Sequence, residues 1–231
     1  MNGSLFDVVQ DAKMFVFDAY GTLFDVGAAI ARHREKVGPE ADRLSDIWRT
    51  KQLEYSWTLT LAGRFVDFWT LTEQALDVAL GSCPSVDRGL RGDLLDAYRT
   101  LDAYPDARVA LRALKAKGAR TAILSNGSEK MLADAVAAAG IGGDLDAVLS
   151  VDPIKLFKPR PEVYRLVLEK FSVAPGEVIF VSSNGWDVMG ARAFGFRPVW
   201  VNRAKKPAEY PDVTPIRVID DLSGLLDLAP S

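Results

Sequence analysis

Short apolar runs rich in β-branched and aromatic residues recur along the chain. They are Met14-Phe15-Val16-Phe17, Thr121-Ala122-Ile123-Leu124, Val178-Ile179-Phe180-Val181 and Val199-Trp200-Val201, with a weaker one at Ala147-Val148-Leu149. None alternates with polar residues. Continuous apolarity over so short a run marks a strand buried on both faces, the pattern of a parallel sheet. Between the runs the spacing turns helical. Residues 106–117 carry Val109, Leu111 and Leu114 and stop at Gly118, and residues 128–139 stop at Gly140. Residues 161–171 open with a proline, whose missing N–H costs nothing at a helix start. Strands alternating with helices predict an α/β fold with a mostly parallel sheet, a Rossmann-like core.

The first strand breaks this rhythm. No further strand pattern occurs until the unit that begins near Tyr104-Pro105. The intervening stretch reads as helix throughout. Leu44, Ile47, Trp48, Tyr55 and Leu59 share one helical face, and Phe65, Phe68, Trp69, Leu76 and Leu80 share the next. The expected organisation is therefore a discontinuous core, residues 1–25 and 104–231, with a helical cap domain inserted at 26–103. Residues 204–215 carry three prolines and are expected to form a surface loop.

Composition narrows the chemistry. Lys plus Arg number 28 against 31 Asp plus Glu, so the basic excess of a nucleic-acid binder is missing. No uncharged apolar run is long enough to cross a bilayer, and residues 1–7 lack the pattern of a secretory signal. Neither nucleic acid nor membrane is expected as a partner. Cys83 is the only cysteine, so no disulfide forms within the chain, which fits a cytoplasmic location. His33 is the only histidine and lies among charged residues, where a solvated side chain is expected. A site with two histidine ligands from one chain is excluded. Neither a glycine-rich dinucleotide motif nor a GxxxxGK[ST] loop is present.

Ligands of open α/β sheets bind outside the carboxyl ends of the strands. The polar residues at those ends are Asp18 and Thr22, then Ser125 and Asn126, then Lys158, then Ser182, Ser183, Asn184 and Asp187. Each alone fits a turn or a cap. Together they bring two carboxylates, an amine and several hydroxyls and amides to one edge, which points to an active site.

Four of these segments resemble motifs of the haloacid dehalogenase superfamily, in its L-2-haloacid dehalogenase branch. They are Phe17-Asp18-Ala19-Tyr20-Gly21-Thr22-Leu23-Phe24-Asp25-Val26, Leu124-Ser125-Asn126-Gly127, Lys158-Pro159 with Tyr164 after it, and Val181-Ser182-Ser183-Asn184-Gly185-Trp186-Asp187. Trp48-Arg49-Thr50-Lys51-Gln52-Leu53-Glu54-Tyr55-Ser56-Trp57 and Arg64-Phe65-Val66-Asp67-Phe68 are similar to the same branch. Phosphatases of the superfamily carry a second aspartate two residues after the nucleophile, to protonate an alkoxide leaving group. This chain has Tyr20 there. Halide leaves without a proton, so the exchange favours dehalogenation. It also removes an oxygen ligand that Mg²⁺ would want.

The resemblance implies hydrolytic removal of halide from small 2-haloacids, without cofactor or metal, by a homodimer. Asp18 would be the nucleophile, with Lys158 and Thr22 holding it. Asp187 would activate water, supported by Ser182 and Asn184. Ser125 would hold the substrate carboxylate, Arg49 and Asn126 the halide, and Phe68, Tyr20 and Tyr164 would line the pocket. Asp25 is expected to be structural. Two alternatives stay open at this point: a phosphatase of the same superfamily, and a non-catalytic small-molecule-binding module on the same fold.

Overall fold

A computed structural model describes Ala12 and residues 14–228 of the chain. Residues 1–7, expected to carry no secretory signal, lie outside that range. Among the described residues six strands form one sheet: β1 (Met14–Phe17), β2 (Arg120–Ser125), β3 (Ala147–Ser150), β4 (Val178–Ser182), β5 (Arg197–Val201) and β6 (Arg217–Ile219). Their order is β3-β2-β1-β4-β5-β6, and every pairing is parallel. The five apolar runs became β1 to β5. The sixth strand was not foreseen. It is short, begins with Arg217 and has Val218 52% exposed, as an edge strand does, so it lacks the apolar signature of its neighbours.

The strand order reverses between β1 and β4, and this is the switch point at which such sheets bind ligands. All four residues of β1 are fully buried. Burying a Phe such as Phe15 or Phe17 stabilises the core by about 1.5–3 kcal/mol each. That buried strand is the rigid base on which Asp18 stands.

Nine helices accompany the sheet among the described residues. α1 (Ala28–Ala31), α2 (Arg34–Val37), α3 (Ala41–Leu61), α4 (Phe68–Ser82) and α5 (Arg91–Arg99) all fall between β1 and β2. α6 (Pro105–Ala116), α7 (Glu129–Ala139), α8 (Pro161–Phe171) and α9 (Gly185–Phe194) alternate with the strands. α3 and α4 pack together and are cross-tied. The Trp48 indole donates to the Thr72 carbonyl at 2.8 Å, and Gln52 Nε2 donates to Thr72 Oγ1 at 2.9 Å. The chain leaves and re-enters the sheet layer through adjoining segments. Phe24 bridges Ala103, Asp25 N–H donates to Asp102 O at 2.9 Å, and Tyr104 N–H donates to Leu23 O at 2.8 Å.

Three local expectations change. Val109 is 62% exposed, and α6 instead buries Ala107, Ala110, Leu111 and Leu114. Phe65 precedes α4 rather than lying in it; its ring stacks on Phe157 at 5.1 Å. His33 is half-buried at the start of α2 rather than freely solvated.

Candidate active site

Asp18 follows β1 directly, and its N–H still donates to Val181 O at 2.9 Å, so its backbone is part of the sheet. The chain then turns sharply, with Leu23 and Phe24 N–H both donating to Ala19 O. Gly21 takes φ +92° in that turn, a conformation that suits glycine, and a side chain there would crowd Ser183 Oγ at 3.2 Å. The turn brings Thr22 back beneath Asp18. Thr22 Oγ1 lies 3.3 Å from Asp18 Oδ2 and 3.2 Å from Ser183 Oγ, one hydrogen facing two acceptors, while it accepts Ser183 N–H at 2.9 Å.

Asp18 is 6% exposed, and its carboxylate is held at both oxygens. Oδ1 accepts from Lys158 Nζ at 3.1 Å, and Oδ2 accepts from Asn184 Nδ2 at 2.8 Å. Lys158 reaches on to Asp187 Oδ2 at 2.8 Å, so one ammonium bridges two carboxylates. Tyr164 closes the chain of contacts by donating its hydroxyl to Asp187 Oδ1 at 2.7 Å.

Burial decides how these groups titrate. Burial opposes the Lys158 charge, but Asp18 and then Asp187 outweigh it and hold the ammonium pKa above its ordinary value. Burial pushes the Asp187 carboxyl up from 3.8 to about 6, against the pull of Lys158 and with a further push from Asp18. Burial, and then the Asp187 charge, raise the Tyr164 hydroxyl well above its usual range, so it remains a donor.

The second strand end supplies donors. Asn126 Oδ1 accepts Lys158 N–H at 2.9 Å, which fixes the amide orientation and leaves its NH₂ end as the donor. Ser125 Oγ accepts Gly127 N–H at 3.1 Å and keeps its own hydrogen to give. Gly127 is required sterically, because a Cβ there would lie 2.7 Å from Tyr20 Cε2.

From the cap, Arg49 Nη2 donates to the Tyr20 carbonyl at 3.3 Å, and among the described residues no carboxylate pairs with Arg49. Phe68, 1% exposed, stacks on Tyr20 at 6.4 Å and meets Phe157 at 5.9 Å. Tyr20, Phe68 and Phe157 thus form a continuous aromatic cluster. Among the described residues no cluster of three or more His, Cys, Asp or Glu side chains is placed to hold a metal ion. The two carboxylates present already share the Lys158 ammonium.

The chain matches the family model described as a hydrolase, haloacid dehalogenase-like hydrolase, over residues 12–195.

It belongs to that family.

Among haloacid dehalogenase-like hydrolases, (S)-2-haloacid dehalogenase 1 of Pseudomonas sp. (strain CBS-3) is 51% identical, with 92% of this chain and 94% of that protein covered. (S)-2-haloacid dehalogenase 4A of Burkholderia cepacia is 46% identical, with 96% of both chains covered. The L-2-haloacid dehalogenase from Xanthobacter autotrophicus with chloropropionic acid covalently bound superposes with a TM-score of 0.84 at 39% identity, covering 94% of this chain and 98% of that one.

Within this haloacid dehalogenase-like site, most of the expected residues converge, but some take other places. Tyr164 is fully buried among Phe180, Phe194 and Phe196 and meets the site through its hydroxyl on Asp187. Asn184 reaches Asp18 rather than a water position beside Asp187. Ser182 is fully buried and accepts the Asn184 N–H at 3.1 Å, so its visible contact is with the turn. Asp25 accepts from Gly27 N–H at 2.9 Å and from the Tyr104 hydroxyl at 3.4 Å, a structural place as expected. Ser183, one of the polar residues expected at the strand ends, joins Thr22 through both its hydroxyl and its N–H. The indoles of Trp57 and Trp186 meet edge to face at 5.4 Å where α3 approaches the start of α9. No spacing rule predicts that pair, since it depends on how the cap docks.

Proposed function

We propose that this chain hydrolyses the carbon–halogen bond of small L-2-haloacids, giving D-2-hydroxyacids and halide, with Asp18 as nucleophile. The observation that carries the reading is the fixed Asp18 carboxylate at the switch point, with Tyr20 where a phosphatase would keep its general acid. A carboxylate in water is a poor nucleophile because it is strongly solvated. In this site Lys158, Asn184 and Thr22 replace water and hold the group for in-line attack. Such positioning contributes up to ~7–11 kcal/mol of barrier lowering.

An Asp18 oxygen attacks C2, the carbon–halogen bond breaks, and halide leaves with the electron pair; no proton is needed. Ser125 and the backbone amides after Asp18 hold the substrate carboxylate by hydrogen bonds, and Lys158 lessens its repulsion of Asp18. Arg49 and the Asn126 amide receive the halide against the wall of Phe68 and Tyr20. Water then adds to the carbonyl carbon of the Asp18 ester. Asp187 takes its proton, and the ester collapses to free Asp18 and hydroxyacid. Tyr164 orients Asp187, Asn184 holds Asp18, and Ser182 shapes the turn that carries Asn184. Neither metal nor other cofactor enters these steps.

We assign residues 26–103 to a cap and residues 1–25 with 104–231 to the core, on the paired crossing segments at Phe24 and Ala103. We also propose a cytoplasmic homodimer. Cys83 is buried and unpaired, and Leu61, 87% exposed on the cap, offers apolar surface to a second copy. Among the described residues, no helix is long and apolar enough to cross a membrane.

The test is halide release from each enantiomer of 2-chloropropionate. The L form should react and give the D-hydroxy acid. Equal rates for both, or retained configuration, would contradict single displacement by Asp18. Mg²⁺-dependent release of phosphate from an aryl phosphate, without halide release, would favour a phosphatase instead.

A further inference from the structure

Tyr98 lies on α5 and is 2% exposed, and its buried hydroxyl has no hydrogen-bond partner among the described residues. Buried tyrosine hydroxyls usually find one, so an orphan calls for an explanation. The ring cannot swing clear. It stacks on Tyr20 at 5.7 Å with planes 18° apart, and it packs on Trp48 at 5.1 Å. Trp48 is itself pinned to Thr72 by its indole N–H. A phenol oxygen lies on the ring axis, so ring flips do not move it. Its position is set by packing.

Both rings packed on Tyr98 lead to Arg49, which follows Trp48 on α3 and donates to the Tyr20 carbonyl. Arg49 and Gln52 also act electrostatically on the Tyr98 hydroxyl. Gln52 spends one N–H on Thr72 Oγ1 at 2.9 Å. Among the described residues Arg49 makes one hydrogen bond, a long one of 3.3 Å to the Tyr20 carbonyl. A guanidinium carries five N–H donors in a rigid plane and accepts none, so a single long bond leaves its orientation loosely fixed. Burial pushes the Tyr98 pKa up although Arg49 pulls it down, so the hydroxyl stays neutral and can accept.

We propose that Tyr98 is a positioning residue for Arg49, its hydroxyl oxygen accepting a guanidinium N–H when bound substrate draws the side chain inward. The Tyr20 carbonyl and Tyr98 Oη then fix two points of the plane that receives the halide. The proposal rests on the dehalogenase reading and on Arg49 as a halide ligand.

Tyr98→Phe tests it, because the ring and its stacking survive and only the oxygen is lost. The variant is compared with Arg49→Lys and with the double variant on L-2-chloropropionate. We expect kcat to fall about tenfold with KM within about twofold, and the melting temperature to hold or rise. In the Arg49→Lys background the same change should have little further effect, since a residue acting through Arg49 has nothing left to position. Wild-type kcat in Tyr98→Phe would overturn the proposal. So would an equal fall in the Arg49→Lys background, or a fall matched by lost thermal stability. A wild-type chain inert toward both enantiomers is a different failure, which removes the dehalogenase reading itself.

Discussion

Lys158 Nζ lies 2.8 Å from Asp187 Oδ2, and both side chains are fully shielded from solvent. The same ammonium is 3.1 Å from Asp18 Oδ1. One cation therefore compensates two buried carboxylates, and it occupies the space between them. This explains how two acids coexist at one sheet edge.

Removing Lys158 should consequently damage the fold as well as the chemistry. Lys158→Met leaves both carboxylates without their cation, and breaking a buried pair costs roughly 3–5 kcal/mol. Denaturant unfolding should show a loss of that order together with loss of turnover. Adding Asp187→Asn to Lys158→Met should restore part of the stability and none of the activity. Equal stability of the wild type and Lys158→Met would mean that the bridge matters little to the fold.

The raised Asp187 carboxyl sets a pH dependence with opposite signs for rate and stability. Ester hydrolysis needs Asp187 ionised, so kcat should fall toward tenfold per unit as pH drops below about 6. Stability runs the other way for this group. Its folded pKa lies above the ordinary 3.8, so the folded state holds the proton more tightly. Its contribution is fully present below about 4 and is lost as pH rises through about 6. Melting curves of wild type and Asp187→Asn across this window should converge toward low pH. A kcat flat from pH 5 to 8 would argue against Asp187 as the base.

Activity should survive exhaustive chelation. Tyr20 stands where the phosphatases of the superfamily carry a second aspartate, and Lys158 already bridges Asp18 and Asp187. Halide release measured before and after dialysis against chelator should agree. Loss of activity, with recovery on adding Mg²⁺, would contradict the cofactor-free mechanism.

Much of the core was legible because its signals are local. A buried parallel strand must be apolar on both faces, so Met14–Phe17 announced itself, and the residue after it, Asp18, stood out by contrast. Position at the strand end then followed from the fold. Less local features were hidden. Tyr164 reads as a site residue, and α8 directs its hydroxyl to Asp187 Oδ1, but periodicity does not say which partner a tyrosine will reach. Tyr98 gave no signal, since its meaning depends on α5 docking against α3 beside Tyr20. The strand at Arg217–Ile219 was missed because an exposed edge relaxes the demand for apolar residues. The turn contacts of Ser182 depend on backbone geometry that residue type alone does not encode.

The central claim is that Asp18 attacks carbon rather than water. Loss of activity in Asp18→Asn would not decide it, because a general base also needs an ionised carboxylate. A single turnover in ¹⁸O-enriched water, with enzyme in excess over L-2-chloropropionate, does decide it. If Asp18 forms the ester, the product hydroxyl takes an Asp18 oxygen and stays unlabelled, while water leaves its label in the Asp18 side chain. Mass spectrometry should find ¹⁸O in the peptide that contains Asp18 and none in the first-turnover hydroxyacid. Label in that first product, with an unlabelled Asp18 peptide, would contradict the account.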